Sequence, residues 1–148
     1  MLCNLFGSCV HAKHIPQTPI EYMEYRVHNA TRYPTRHFIL RRDTDGHYRL
    51  TNGTNCDIEN APTIEVPASF AHQLRQIVTE ERMLSYKESY NSFRHRHVCG
   101  GSSWRLSIRF VDSNTAVESS GYMVYPKGNG IERLEQLCRE TWENLNKE

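Results

Sequence analysis

The chain is 148 residues long, which is the usual size of one folded domain and excludes a large multidomain enzyme. Hydrophobic residues make up 38% and charged residues 24%, so the chain has enough apolar surface for a core, and pervasive disorder is excluded. The formal net charge is only +1, so no overall basic field favours nucleic acid, and no window has the roughly 18 apolar residues that a membrane helix requires.

Residues 1–19 predict a flexible N-terminal segment, which Pro16 and Pro19 close off. This segment contains four potential zinc ligands, Cys3, Cys9, His11 and His14. Structural zinc sites usually pair their cysteines at two to four intervening residues and place a folded element between the two pairs. The spacing here fits that pattern badly, so a plain tail is the favoured interpretation.

The small residues before Cys9 resemble the end of a bacterial lipoprotein signal. A secretory signal has a basic start and an apolar stretch of roughly 7 to 15 residues, and the few residues before Cys9 supply neither. The sequence therefore predicts a cytoplasmic protein. A lipid-anchored envelope protein is the alternative if the native protein begins earlier than this chain.

The rest of the chain, residues 20–148, predicts one α+β domain that starts with strands. Apolar and charged residues alternate from Ile20 to Val27, which is the period of a half-buried strand. Residues 37–50 have two β-prone arms around a turn, where Gly46 supplies the positive φ of a tight hairpin. Residues 64–66 predict a further short strand.

An amphipathic helix follows from Pro67 to about Arg82, because apolar residues recur there at spacings of three and four. Pro67 fits the first turn of this helix. The alternation in residues 83–90 is only partial, and we predict a short strand there.

The second half repeats the order of hairpin and helix. Residues 104–110 alternate fully and predict a strand, and residues 115–125 return as its partner after a turn at Asp112. Gly121 is expected to be a bulge or a point of close approach. A second amphipathic helix from residue 131 has an apolar stripe of Ile131, Leu134, Cys138 and Leu145.

These elements predict an α+β fold with an antiparallel sheet built from two hairpin-plus-helix units and with two amphipathic helices on one face. The other face of the sheet is expected to present Arg105, Ser107 and Arg109 to solvent or to a partner. Trp104 alternates with these residues, so we expect it to be buried against the second helix.

His95, His97 and Cys99 occupy alternate positions and would point to one side of a strand, as a metal site or a thiol–imidazole pair requires. A solvated loop beside the Gly-Gly sequence that follows accounts for the same residues and is favoured. The five cysteines are an odd number without regular spacing, so free thiols are predicted. The sequence assigns no catalytic residue, cofactor or metal ligand.

The leading functional hypothesis is a non-enzymatic binding or protein-interaction module, with another protein as its partner. A metal- or thiol-dependent site at His95, His97 and Cys99 is the alternative. Single-stranded nucleic-acid binding is the second alternative, and its basic and aromatic residues would be Arg94, Arg96, Arg105, Arg109, Trp104, Tyr122 and Tyr125. Nucleic acid is disfavoured because Trp104 belongs to the apolar side of its strand.

Residues 101–145 carry a Ser-Trp-Arg-Leu strand, a turn at Asp112-Ser-Asn114 and a Ser-Gly-Tyr-Met-Val-Tyr-Pro return strand that ends at Pro126. This segment resembles a domain of uncharacterised proteins from gut-associated bacteria, which have a Ser-Trp-x-Leu strand, an Asp-Gly turn, a Ser-Gly-x-x-x-x-Pro strand and a last helix. The turn departs from the Asp-Gly pattern. The resemblance implies a similar layout, and it implies no catalytic residues.

Overall fold

The computed structural model of the chain describes residues 13–91 and 101–147, in which a seven-stranded sheet accompanies two α-helices. The strands are β1 (Ile20–Asn29), β2 (Arg36–Arg42), β3 (Tyr48–Asn52), β4 (Thr63–Val66), β5 (Ser89–Asn91), β6 (Ser102–Phe110) and β7 (Ala116–Tyr122). The helices are α1 (Ala68–Glu80) and α2 (Gly130–Leu145), and short 3-10 helices occupy Ile58–Asn60 and Met83–Ser85.

The strand order across the sheet is β4-β3-β2-β1-β6-β7-β5. Every pair is antiparallel except β5 with β7, which is parallel. The first strand of the chain therefore lies at the centre of the sheet, with β2 on one side and β6 on the other. The predicted α+β class, with a mostly antiparallel sheet and two helices, is confirmed.

The alternation in β1 and β6 sets which side chains enter the core. Trp104, Leu106, Ile108 and Phe110 of β6 are all buried, and the residues between them are more exposed. The register pairs Leu106 with Tyr25 of β1, so the buried residues of both strands lie on one side of the sheet. The strand predicted over residues 104–110 is confirmed.

Both helices bury their apolar stripes in the core cluster that contains the buried residues of β1 and β6. The buried residues of the helices are Phe70, Ala71, Leu74, Ile77 and Val78 of α1, and Gly130, Ile131, Leu134 and Cys138 of α2. The predicted stripe of α2 is wrong at its end, because Leu145 is 41% exposed. The last buried residue of α2 is Cys138, and the partly buried Trp142 still packs against the core cluster one turn later.

The predicted turns and close approach are also present. In the hairpin of β2 and β3, the Asp43 carboxylate accepts hydrogen bonds from the backbone N–H of Asp45 and of His47, each at 3.0 Å, and Gly46 has a φ of 84°. A Cβ atom on Gly121 would lie 2.5 Å from Nε1 of Trp104. Gly121 is therefore the point of close approach that the sequence predicts.

The predicted strand over residues 83–90 is wrong for most of its length. Met83–Ser85 is a 3-10 helix, and only the last two positions belong to β5 (Ser89–Asn91). Met83 and Leu84 are adjacent and both buried, which a strand with one side facing solvent does not allow. The predicted position of Pro67 in the first turn of the helix is also wrong, because Pro67 is the N-cap residue of α1 and precedes that turn.

None of the helices within residues 13–91 and 101–147 is long and apolar enough to cross a membrane.

Residues 13–19 contain no helix or strand, and Ile15 packs against the core cluster. Arg75 of α1 donates hydrogen bonds to the backbone oxygens of Pro16 and Thr18. These contacts attach the segment before β1 to the side of α1.

Candidate functional site

The candidate site lies on the sheet face opposite the core cluster, which we call the open face. On β1 this face carries Tyr22, Glu24, Arg26 and His28, because successive side chains of a strand point to opposite sides. The strand pairing arranges the open-face side chains in rows that cross the sheet, and three rows are rich in charged residues.

We name the three rows by their charged residues. The outer arginine row contains Arg49, Arg41, Tyr22 and Arg109 in order from β3 to β6. The glutamate row contains Thr51, Ile39, Glu24, Ser107 and Glu118 in order from β3 to β7. The inner arginine row contains His37, Arg26, Arg105 and Ser120 in order from β2 to β7.

The outer arginine row is organised around the ring of Tyr22. The guanidinium of Arg109 lies 4.3 Å from the ring centroid and that of Arg41 lies 5.8 Å from it, so the tyrosine holds two cations by cation–π contact. The Tyr22 hydroxyl donates a hydrogen bond of 2.5 Å to Glu24. Burial and this hydrogen bond raise the pKa of Tyr22 to about 12, which keeps the phenol protonated.

The carboxylates of the glutamate row are both engaged by neighbouring groups. Oε1 of Glu24 lies 3.6 Å from Nε2 of His37. This contact, together with the hydrogen bond from Tyr22, lowers the pKa of Glu24 to about 2 despite partial burial. Glu118 accepts a hydrogen bond of 2.6 Å from the hydroxyl of Ser107.

Part of the open face is covered at β2. His37 is 5% exposed and Ile39 is also buried, although both belong to this face. A Cβ atom on Gly53 would lie 2.9 Å from Ile58 and 3.0 Å from the ring of His37, so the segment after β3 lies against the imidazole. The accessible part of the face therefore extends mainly over β1, β6 and β7.

The inner arginine row combines two positive charges, and Glu24 and Glu118 lie beside them on the same face. Arg26 of β1 and Arg105 of β6 are direct partners in the antiparallel pair. Within the described residues, neither guanidinium takes part in an ion pair or a hydrogen bond. Both line a cleft of about 820 Å³ on the open face. This cleft is the strongest candidate for a ligand site.

Trp104 borders this cleft, but its side chain is buried in the core. Its ring stacks on Tyr125 at 5.5 Å and lies 6.0 Å from Tyr90, and its indole N–H donates a hydrogen bond of 2.7 Å to the backbone oxygen of Val124. The side chain is 2% exposed, so the prediction that it is buried is confirmed. A buried indole is unable to stack on a nucleic-acid base.

The candidate metal and thiol residues fall mostly outside the part of the chain that the structure describes. His95, His97 and Cys99 lie there, as do Arg94 and Arg96, and so do Cys3, Cys9 and His11 of the N-terminal segment. The described residues contain no group of three or more His, Cys, Asp or Glu side chains that suits a metal ion. Cys138 is fully buried, and burial raises the pKa of its thiol, as expected for a core residue.

The sequence predicted that Arg105, Ser107 and Arg109 lie on the open face, but it did not predict that Arg26 lies opposite Arg105. The signal for Arg26 was its place in the alternation of β1, which puts it on the side opposite Tyr25 and Val27. Its position opposite Arg105 depends on the pairing of two strands that are far apart in the chain.

A scan against protein-family models and a search of curated proteins each find no match. The resemblance of residues 101–145 to the domain of gut-associated bacteria stays a prediction.

Proposed function

We propose that this domain is a non-enzymatic binding module that holds another protein on its open face. In this proposal the fold consists of two hairpin-plus-helix units whose helices together cover one face of the sheet. The opposite face is then the surface that the architecture leaves for a partner. The partner that fits this surface is a protein segment rich in negative charge.

The observation that carries the proposal is the excess of positive charge in the three rows. The rows contain five arginines and two glutamates, and one of the arginines, Arg49, also lies opposite Glu65 of β4 and 3.9 Å from Asp43. Glu24 and Glu118 accept hydrogen bonds from neutral hydroxyl groups and keep their negative charge, but they are fewer than the arginines, so the face carries an excess of positive charge. A partner with carboxylate or other anionic groups would complement this face, and such complementarity sets specificity and association rate.

A solvated charged face is the simpler explanation, and one feature of the rows argues against it. Arg41 and Arg49 are direct cross-strand partners, as are Arg26 and Arg105. Like charges directly opposite each other destabilise an antiparallel pair, whereas a merely solvated face gains from alternating signs. Arg49 is compensated in part by its two neighbouring carboxylates, one on β4 and one in the turn after β2. Arg26 and Arg105 form no ion pair with the described residues, so the Arg26–Arg105 pair supports a contact with an anionic partner.

Binding of a labelled peptide of alternating glutamate and glycine tests the proposal, with a glutamine–glycine peptide as the uncharged control. We expect saturable binding of the glutamate peptide at about 20 mM salt and its loss at about 0.5 M salt, because exposed ion pairs are screened. The double variant Arg41→Gln/Arg109→Gln should weaken binding by about tenfold, as two exposed ion pairs are lost.

The matched control is the double variant Lys127→Gln/Lys147→Gln, which removes the same charge at exposed positions outside the rows. It should leave the affinity within about twofold, since distant exposed charges are screened. An equal loss in the two double variants would contradict the proposal, and so would absence of glutamate-peptide binding at low salt.

The metal or thiol alternative is tested separately by zinc analysis of protein purified without an affinity tag. Stoichiometric zinc that disappears in the variant His95→Ala/His97→Ala/Cys99→Ala would favour the alternative. Zinc below about a tenth of the protein concentration would leave the binding module as the preferred function.

A further inference from the structure

The cleft on the open face has the composition of a site for a compact anion. Its volume is about 820 Å³, within the range of small-ligand sites. The open-face residues that line it include Arg26, His28, Ser103, Arg105, Glu118 and Ser120. The cleft therefore places two guanidinium groups among hydroxyl, imidazole and carboxylate groups.

The two arginines are held close together by the strand pairing. Side chains of direct cross-strand partners have Cβ atoms about 4.5 to 5.5 Å apart, so the guanidiniums of Arg26 and Arg105 reach the same space. Bringing two like charges together costs free energy, and no acidic side chain among the described residues forms an ion pair with either. An anion between them would remove this repulsion.

Neutral hydrogen-bonding groups flank the arginine pair. Ser120 is the direct partner of Arg105 on β7, and Ser103 is the direct partner of His28 on β1. The hydroxyl of Ser120 makes only a long contact of 3.4 Å with the backbone oxygen of Glu88. Nε2 of His28 is bonded to the backbone oxygen of Thr31 at 3.0 Å, whereas the single hydroxyl proton of Ser120 can turn from its long contact to the oxygen of an anion.

Two acidic residues, Glu88 and Glu118, line the cleft together with the arginine pair. Glu118 is exposed, and its carboxylate accepts the hydrogen bond from Ser107, which lies in the next row. Glu88 is also exposed and belongs to the segment just before β5. Neither carboxylate forms an ion pair with Arg26 or Arg105, so the positive charge of both guanidinium groups is available to a ligand.

The magnitude of that charge distinguishes between the common anionic groups of proteins. A carboxylate carries one negative charge and would leave one guanidinium uncompensated. A phosphate monoester carries about 1.5 to 2 negative charges near neutral pH and offers three acceptor oxygens. Two arginine forks match this group in charge and in hydrogen-bond geometry.

We propose that Arg26 and Arg105, with Ser103 and Ser120, bind a phosphorylated side chain of the protein partner. This proposal rests on the proposed function, because it specifies which anionic group of the partner occupies the cleft. The outer arginine row then attracts the acidic residues around the phosphorylated position, and the inner arginine row binds the phosphate itself.

The experiment compares two labelled peptides that differ at one central position. Both have the glutamate–glycine sequence described above, and the centre is phosphoserine in one and glutamate in the other. We expect the phosphoserine peptide to bind about tenfold more tightly, and inorganic phosphate to compete only at much higher concentration.

Two lysine variants test the role of the arginine pair. Arg105→Lys and Arg26→Lys keep the charge but lose the planar fork, so each should bring the preference for phosphoserine close to parity. The matched control is Arg109→Lys, on the same strand and face, which should retain the preference. Circular dichroism spectra that match the unmodified protein show that each variant is folded.

Several results would overturn the inference. If both peptides bind equally, the proposed function stands and the phosphate site is wrong. If neither peptide binds at low salt, the proposed function fails with it. If a thymidine oligonucleotide binds more tightly than the phosphoserine peptide, and Arg105→Lys abolishes this binding, then the cleft reads nucleic-acid phosphates and the assignment to a protein partner is wrong.

Discussion

At the scale of single residues, Trp104 anchors the turn that follows β7. Its indole N–H donates to Val124, its ring stacks on Tyr125, and it lies against Gly121. Met123 in this turn has a φ of 56°, which few residues with a Cβ atom adopt. The buried indole therefore stabilises a turn whose backbone is unfavourable by itself.

Replacing Trp104 by alanine should destabilise the domain by about 3 to 5 kcal/mol, because a large cavity and an unpaired Val124 oxygen remain. Denaturant melts, which measure the free energy of unfolding, test this value. Tyr125→Ala is the control, since that ring is 43% exposed, and it should cost clearly less. A loss below about 1 kcal/mol for Trp104→Ala would contradict the assignment of this indole to the core.

Glu24 makes the stability of the domain depend on pH. Its pKa is lowered from 4.5 to about 2 in the folded protein, so its carboxylate stabilises the fold fully above pH 4.5. This contribution decreases as the pH falls from 4.5 towards 2, where the folded protein also takes up the proton. The stabilisation comes from the contact with His37 and the hydrogen bond from Tyr22.

The variant Glu24→Gln should therefore be less stable than the unmodified protein at neutral pH, by about 2 kcal/mol after allowance for partial exposure. The difference in free energy of unfolding should shrink between pH 4.5 and pH 2. Denaturant titrations at a series of pH values measure it. A difference that is constant over this range would show that the carboxylate charge has no part in the stabilisation.

At the scale of elements, the side chains on the two faces of the β1–β6 pair have opposite effects on stability. On the core side, Tyr25 and Leu106 are partners and both are buried. On the open side, Arg26 and Arg105 are partners and repel each other. The burial on one side holds the strands in a register that the arginines alone would disfavour.

This contrast predicts opposite effects for two arginines of the same strand. Arg105→Gln removes a repulsion and should raise the free energy of unfolding by up to about 0.5 kcal/mol. Arg109→Gln removes the guanidinium that lies 4.3 Å from the Tyr22 ring and should lower it by about 0.5 kcal/mol. Denaturant melts at low salt measure both changes.

In about 1 M salt the gain from Arg105→Gln should disappear, because exposed charges are then screened. A loss of stability in Arg105→Gln at low salt would contradict the repulsion and would indicate a stabilising contact of this guanidinium.

At the scale of the whole molecule, the sheet is best supported at its centre. β1 is paired with β6 along nearly all of its length and with β2 from Tyr22 to Val27, and the residues it buries belong to the same core cluster as both helices. At the two edges, β4 and β5 are short and each has one partner. Resistance to local opening should therefore decrease from the centre of the sheet to its edges.

Native-state hydrogen exchange tests this gradient. The backbone amides of β1 and β6 that bond across their ladder should exchange only through global unfolding, so their opening free energy should equal that from denaturant melts. Amides of β4 and β5 should exchange through smaller openings. Equal protection in β1 and β5 would show that the whole sheet opens as one unit.

The sequence by itself determined the features that depend on local periodicity. The alternation in β1 and β6 identified the strands and the buried side of each, as shown by Val27 and Trp104. The spacing of three and four identified both helices, and Gly46 identified the turn of the hairpin between β2 and β3. These features follow from the geometry of a strand or helix of a few residues, so neighbouring residues suffice to predict them.

Only the tertiary structure decided the strand order, the parallel pairing of β5 and the facing positions of Arg26 and Arg105. The two arginines are far apart in the chain, and no local pattern links them. Their register is set by the burial of Tyr25 with Leu106 on the other side of the same two strands, since a slip of one residue would expose that pair to solvent. The inner arginine row is therefore a consequence of core packing.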